Sequence, residues 1–301
     1  MKTELIINKT AGGGKAGKLL PEIISTFNKL NIPFHTSFTN SPGGATGLAR
    51  QAANSGVELI ISVGGDGTIN EIINGILTAN HQPALGIIPA GWANDFIKSI
   101  PIPNDIYQAC QIIKEGKAKE IDLGLINQKT YFANICGIGL DAEITALSNQ
   151  IKNNHPNWKT FSSYVYVLAA IRKLLLPLPS FKAKITIDDN IIEGEFLLLA
   201  IANGTIEGGK FNIAPDAEID DGFLDTYTIQ KMGRIRCFKF LPTIIKGTHR
   251  HVQGVSFFRS KEIIVETERP VLAQVAGEIL IPQKKYHIQI LPGKLSLICP
   301  S

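Results

Sequence analysis

Gly64-Gly65-Asp66-Gly67-Thr68 combines three glycines, a carboxylate and a hydroxyl in five residues. The apolar run Val57 to Val63 precedes it and reads as a buried strand. Ile69, Ile72, Ile73, Ile76 and Leu77 follow at the one-sided spacing of a helix packed on a sheet. A glycine-rich turn between strand and helix lets backbone N–H groups approach an anion closely, and the helix N-terminus adds partial positive charge there. An Asp in such a turn repels a bare phosphate but suits one that carries Mg2+. The plain alternative is a tight turn with Asp as a local cap. Thr68 and Glu71 have the Thr-x-x-Glu spacing of a capping box, which predicts that the helix starts at Thr68.

Two more glycine-rich turns follow predicted strands. Asn8-Lys9-Thr10-Ala11-Gly12-Gly13-Gly14-Lys15 is no Walker A loop, because Ala16 stands where Ser or Thr is required. It still offers N–H groups to phosphate, with Lys15 as a point charge. The third turn is Pro89-Ala90-Gly91-Trp92-Ala93-Asn94-Asp95-Phe96, where Asn94 and Asp95 suit capping or polar contacts at a helix start.

The elements that must position these turns alternate along the first hundred residues. Strands are expected at Leu5–Asn8, Pro33–Phe38, 57–63 and Ala84–Ile88. Helices are expected over Leu19–Leu30, from Gly43-Gly44, and after Thr68. This alternation predicts a parallel sheet covered on both faces, with the turns at 11–14, 64–67 and 89–91 converging at the strand C-terminal ends. After about Gly124 the pattern becomes β-rich, with helices at Tyr164–Leu175 and Arg234–Ile245. That predicts an antiparallel sandwich or barrel.

The 301 residues, 44% hydrophobic and 19% charged, suit one large or two ordinary globular domains. A net charge of +4 argues against a dedicated nucleic-acid binder. From Thr226 to Lys261 there is no acidic residue, but Lys231, Arg234, Arg236, Lys239, Lys246, Arg250, Arg259 and Lys261 lie there. Such a stretch faces either solvent or an anionic membrane. No uncharged apolar run reaches the length of a spanning helix. The four cysteines show no metal or disulfide spacing. The start, Met1-Lys2-Thr3-Glu4, has no signal-peptide character, so a cytoplasmic protein is expected, with peripheral contact at the inner membrane face.

The motifs taken together resemble a known family. Gly64 to Thr68 matches the GGDGT signature of diacylglycerol, sphingosine and ceramide kinases, shared more distantly with NAD kinases. Gly86 to Phe96 is similar to the G-x-x-P-x-G-T-x-N-D-F segment of bacterial diacylglycerol kinases, with Trp92 in place of Thr. Asn8 to Lys15 resembles the opening of lipid kinases, with Lys9 in place of Pro. Asn134 and Gly137 to Glu143 look like the family's entry into its second domain. Ala214 to Asp225 resembles its P-x-A-x-x-D-D-G-x-L-D segment. Gln274 to Glu278 is similar to its Asp-Gly-Glu segment, with Ala276 where the family has its expected base.

The resemblance implies an N-terminal α/β nucleotide-binding domain with a parallel sheet over 1–126. It also implies a C-terminal antiparallel β-sandwich domain over 127–301, whose last segment is free to return to the first, with ATP in the cleft between them. ATP and Mg2+ are the implied cofactors. Contacts to ATP fall on Asn8, Gly12, Gly14, Lys15, Thr39, Gly64, Gly65, Gly67, Thr68, Gly91, Asn94 and Asp95. Asp66 organises Mg2+–ATP, and Glu278, on the same strand face as position 276, assists at the acceptor. Asp220, Asp221 and Asp225 have the spacing for a structural Mg2+. The implied activity is phosphorylation of a hydroxyl on diacylglycerol or a related lipid at a membrane surface, with a homodimer left open. The alternatives are a catalytically silent nucleotide- or lipid-binding homologue, favoured by Ala276 and Trp92, and a NAD kinase.

Overall fold

The structure is a computed structural model and describes residues 2–100, 102–155, 158 and 162–300. The chain divides into two compact units, Met1–Ile121 with Gly293–Ser301, and Asp122–Pro292.

The first unit contains β1 (Thr3–Ile7), α1 (Ala11–Lys29), β2 (His35–Phe38), α2 (Gly44–Asn54), β3 (Leu59–Gly64), α3 (Asp66–Leu77), β4 (Ala84–Pro89) and α4 (Ile106–Glu115). The chain leaves this unit within β5 (Lys117–Ile126). Strands β2, β1, β3 and β4 pair in that order and all run parallel. The apolar runs of β1, β3 and β4 are buried on both faces, as Leu5, Ile6 and Ile7 in β1 and every residue of β3 show, while the edge strand β2 is mostly exposed. Helix α1 covers one face with Ile23 and Phe27. The helix expected from Leu19 begins earlier, and within the bounds of α1 the backbone is left-handed at Gly12, Gly13 and Gly14, so regular helix follows that glycine loop. Helix α4, unpredicted, is capped by Asp105, whose carboxylate accepts the Gln108 N–H at 2.8 Å.

The second unit contains β6 (Thr130–Phe132), β7 (Ile135–Gly139), α5 (Leu140–Asn154), α6 (Ser162–Leu175), β8 (Phe181–Ile187), β9 (Asn190–Ala202), β10 (Ile206–Glu207), β11 (Phe211–Asn212), β12 (Leu224–Gln230), α7 (Arg234–Lys246), β13 (Val255–Ser260) and β14 (Glu262–Val275). Strand β15 (Glu278–Cys299) starts here, and its end pairs parallel with β4 through Leu297 and Leu85 of the first unit. The pairings among β7, β8, β9, β12, β13 and β14 are all antiparallel.

Strands β9 and β14 are 13 and 14 residues long, enough to pair on both edges. Strand β9 pairs with β7, β7 with β14, β14 with β8, and β8 again with β9, so this set closes into a ring. Leu199 and Ile201 of β9 fill the ring, whereas Leu198, Ala200 and Ala202 face a second core under α5, α6 and α7. Among the described residues no helix is long and apolar enough to cross a membrane. All four cysteines are free and buried.

Candidate functional site

The three glycine turns of the first unit sit at the C-terminal ends of β1, β3 and β4 and touch one another. A Cβ on Gly65 would stand 3.1 Å from the Cα of Gly91, and one on Gly91 would stand 2.5 Å from the Cα of Gly65. A Cβ on Gly12 would meet the Ala90 carbonyl oxygen at 2.5 Å, and Gly12 has φ +60°. Side chains at these positions would push the turns apart, which is why the sequence has glycine there. Hydrogen bonds lock the same edge. Asn8 N–H donates to Val63 O at 3.0 Å, Ala90 N–H to Gly64 O at 2.8 Å, and Asn8 Nδ2 to Thr68 Oγ1 at 3.1 Å. Gly67 and Gly14 would meet nothing with an added Cβ, so open space lies beside them.

Helix α3 starts at Asp66 with Gly65 as its cap, two residues before the predicted start. The Thr68–Glu71 capping box does not form. Glu71 reaches instead to the start of α2, where its carboxylate accepts the N–H groups of Gly43 at 3.0 Å and Ala45 at 2.9 Å. A neighbouring helix N-terminus offers unpaired donors and the same favourable dipole, so the tertiary cap wins over the local one. The first backbone acceptor on α3 is Gly65 O, which takes Ile69 N–H at 3.0 Å. The earlier N–H groups of the helix have no intrahelical acceptor.

Asp66 is half-buried, and its Oδ1 accepts the Phe96 N–H at 2.9 Å. That bond ties the second glycine turn to the third and leaves Oδ2 with no partner among the described residues. A single free carboxylate oxygen beside glycine turns suits Mg2+, which takes few ligands from protein and keeps several waters.

Asn94 is buried, with φ +48°, and closes its own loop. Its Oδ1 accepts Gly91 N–H at 3.0 Å and its Nδ2 donates to Gly91 O at 3.3 Å. Asp95 is buried and pairs with Lys98 Nζ at 2.8 Å. The third turn is thus held by its own side chains. Trp92 is exposed beside it. Thr39 follows β2 at the same sheet edge, with its N–H on Ile7 O at 3.0 Å. Lys15 is half-buried at the first glycine loop.

The remaining expected residues lie in the second unit, and their geometry differs from the sequence reading. Position 276 is not on a strand face with Glu278. Val275 pairs with Glu278, so Ala276 and Gly277 form a two-residue hairpin turn, with φ +50° and +85°. That is the geometry of a type I′ turn, which matches the twist of paired strands. Glu278 is exposed at the start of β15. Asn134 is tied to backbone, donating to Ile206 O at 2.9 Å.

The Asp220, Asp221 and Asp225 cluster meets a cation supplied by the protein. Arg259 pairs with Asp221, and its Nε lies 3.5 Å from Asp225 Oδ1. Among the described residues no group of three His, Cys, Asp or Glu is placed to hold a metal ion. The guanidinium on β13 reaches the cluster because Asp225 and Arg259 are register partners on β12 and β13.

Burial pushes the Asp225 carboxyl up to about 6, against the opposing pull of Arg259. A carboxyl raised on folding contributes stability that is present below its ordinary pKa and is lost as pH rises through the raised one. The melting temperature of the wild type relative to Asp225→Asn is therefore expected to fall between pH 4 and pH 7. A gap that stays constant over that range would contradict the raised value.

One polar cluster was not legible in the sequence. Asp141 at the start of α5 accepts the Tyr166 hydroxyl at 2.6 Å and Gln274 Nε2 at 2.7 Å. Gln274 Nε2 also contacts Glu207, and its Oε1 accepts the Gly277 N–H of the hairpin turn at 3.0 Å. Burial raises the Asp141 carboxyl above its ordinary range, while the hydrogen bonds from Tyr166 and Gln274 oppose that rise. Gly137 is required here, since its Cβ would overlap the Asp141 carboxylate.

Residues 2–126 match the diacylglycerol kinase catalytic domain family, and residues 134–299 match the YegS C-terminal NAD kinase beta sandwich-like domain family. The diacylglycerol kinase of Bacillus subtilis is 29% identical over 92% of this chain and 89% of its own length. That of Staphylococcus epidermidis is 30% identical over 92% of this chain and 85% of its own. A crystal structure of a diacylglycerol kinase from Bacillus anthracis superposes with a TM-score of 0.79 at 29% identity. It covers 99% of this chain and 96% of that one.

Proposed function

The chain belongs to the bacterial diacylglycerol kinase-like lipid kinase family, and from that premise we propose that it transfers the γ-phosphate of ATP to a hydroxyl of diacylglycerol or a related lipid. Membership makes it a phosphotransferase with an alcohol group as acceptor. The observation that carries the nucleotide half of the reading is the convergence of the three glycine turns beside the unpartnered Asp66 oxygen. Phosphoryl transfer asks chiefly for positioning and charge stabilisation. Backbone N–H groups of the turns and of α3 hold phosphate oxygens, Lys15 adds a positive charge, and Asp66 holds Mg2+, which neutralises charge on the phosphates. Purified protein with ATP, Mg2+ and an acceptor panel of diacylglycerol, other hydroxylated lipids in mixed micelles, and NAD tests the reading. Phosphorylated lipid with unmodified NAD is expected, and phosphorylated NAD would overturn it.

The lipid is met at an anionic membrane surface. Helices α6 and α7 are in contact and expose Leu168, Ile171 and Leu175 on the first, and Ile235, Phe238 and Ile245 on the second. The acid-free stretch is partly neutralised from elsewhere, Lys231 by Glu195, Arg250 by Asp216 and Arg259 by Asp221. Arg236 donates to the Gln253 carbonyl. Arg234, Lys239 and Lys246 on α7, and Arg172 on α6, have no carboxylate partner among the described residues. Cations around apolar side chains suit a phospholipid headgroup layer.

Binding to phosphatidylserine vesicles should weaken as salt rises. At about 1 kcal/mol per near-surface cation, Arg234→Glu with Lys239→Glu should weaken it by about thirtyfold or more. Binding that ignores both salt and these charges would leave α7 as a solvated face.

A further inference from the structure

Two helices of the first unit start at the same sheet edge, α2 after β2 and α3 after β3. A helix N-terminus presents backbone N–H donors and partial positive charge, so each start attracts an anion. At α2 that place is taken by the protein itself. The Glu71 carboxylate accepts the N–H of Gly43 on one oxygen at 3.0 Å and that of Ala45 on the other at 2.9 Å. The first turn of α2 has no acidic residue and its cap is Gly43, so the charge comes from α3. At α3 the cap is also glycine, and the acid in its first turn, Asp66, gives Oδ1 to the Phe96 N–H of another turn.

The same carboxylate holds the chain between β2 and α2. Asn40, Ser41, Pro42 and Gly43 are exposed, and Gly43 has φ +78°. Among the described residues, Thr39 N–H on Ile7 O ties the start of this turn to β1, and the ties of its end to α3 are the two bonds to Glu71. Glu71 has little freedom to leave. Its carbonyl accepts the Thr46 hydroxyl of α2 at 3.0 Å. One turn along α3, a Cβ on Gly75 would stand 2.4 Å from the Thr46 carbonyl oxygen, so the two helices pack backbone to backbone.

The 39–43 turn lies beside the glycine turns. Ile7, which holds Thr39, is followed by Asn8, whose amide reaches Thr68 of the second glycine turn. Strands β2 and β3 flank β1, which puts their ends two strand spacings apart, about 10 Å. A nucleoside triphosphate held by its phosphates at α3 is long enough to lay its ribose and base across that distance. Thr39, Asn40 and Ser41 supply hydroxyl and amide groups that suit ribose hydroxyls and base edges. The Glu71 charge repels a phosphate from α2 and so sets the direction in which the ligand lies.

We infer that Glu71 is a positioning residue for the nucleotide: it closes the N-terminus of α2 to phosphate and holds the 39–43 turn in place for the ribose and base. The inference rests on the reading of the three glycine turns as a nucleotide site, and adds to it a residue that does not touch the ligand.

The test is titration calorimetry of the full-length protein, well below its melting temperature, with Mg2+–ATP and with Mg2+–tripolyphosphate, which has the phosphates and no nucleoside. Glu71→Gln keeps one acceptor oxygen, loses the charge and turns an amide NH2 toward the second N–H. It should weaken ATP binding by about tenfold and leave tripolyphosphate within about threefold of wild type. A residue that only stabilised the fold would leave both ligands unchanged in folded protein, or weaken both alike. In Glu71→Ala, formate fits the space of the deleted carboxylate. It should return ATP affinity to within about threefold of wild type, and chloride at the same ionic strength should not. Should Glu71→Ala fail to fold, Glu71→Gln carries the test. In turnover the loss should appear in KM for ATP, with kcat within about threefold of wild type.

Unchanged ATP affinity in the folded variants, tripolyphosphate weakened as much as ATP, wild type that does not bind tripolyphosphate, or formate no better than chloride would overturn the assignment. Wild type that binds no ATP would overturn the nucleotide reading and the inference together. If lipid is phosphorylated while the variants bind ATP like the wild type, the role of Glu71 fails and the kinase reading stands. If the variants respond as expected but no lipid is phosphorylated, the role of Glu71 stands and the lipid-kinase reading fails.

Discussion

Asp66→Asn is expected to lower kcat/KM for lipid phosphorylation by about two to three orders of magnitude, the range found when one preorganised charge-stabilising group is removed. The melting temperature should barely move. Asn keeps an Oδ1 that can accept the Phe96 N–H, the bond that ties the second glycine turn to the third. What disappears is the negative charge on the free oxygen, and with it the Mg2+ that organises the phosphates. Turnover and thermal unfolding measured on the same preparation separate the two effects. Activity within about threefold of wild type would remove Asp66 from the catalytic account.

The second large effect is expected in the opposite direction. Ala276→Asp should raise lipid phosphorylation, by up to the roughly 10²–10⁴ that a general base supplies. Ala276 is the first residue of a two-residue hairpin turn with φ +50°, a conformation that costs an Ala more than an Asp. The substitution therefore also relieves the turn, and the melting temperature should hold or rise. The turn is fixed by Gln274 Oε1 on the Gly277 N–H and by Asn149 Nδ2 on the Gly277 carbonyl at 2.9 Å, so a carboxylate added there is well oriented. Glu278→Gln should lower the activity of the natural protein. If Ala276→Asp leaves turnover unchanged while ATP still binds, the hairpin does not serve the acceptor. Trp92→Thr in the Ala276→Asp background is then the variant that separates a blocked nucleotide site from a silent protein.

The parts of this architecture legible in the sequence are the local ones. The run Val57 to Val63 followed by Gly64-Gly65-Asp66-Gly67 fixes a strand, a turn and a helix within twenty residues. The turns at Gly12, Gly65 and Gly91 meet as the alternation of strands and helices predicts. Errors arise where a side chain has a choice of partners. Glu71 has the spacing to cap its own helix but finds better donors at Gly43 and Ala45. The contact of Arg259 with Asp221 and Asp225 is likewise hidden in the sequence, because the residues come together only when β12 and β13 pair. Ala276-Gly277 lacks the Asn-Gly or Asp-Gly signal of a hairpin, so the turn is hidden in what reads as a strand. The Asp141, Tyr166, Glu207 and Gln274 cluster joins four distant segments. No spacing rule could have assembled it, though Gly137 beside Asp141 marks where the carboxylate needs room.

The central claim is transfer of a phosphoryl group from nucleotide to lipid, and parallel reactions with γ-labelled and α-labelled ATP test it most directly. Each contains the protein, Mg2+ and diacylglycerol in mixed micelles, and the lipid is extracted and counted. The account predicts label in the lipid from the γ position and none from the α position. Unlabelled lipid in both reactions, with ATP bound to the protein throughout, would contradict it.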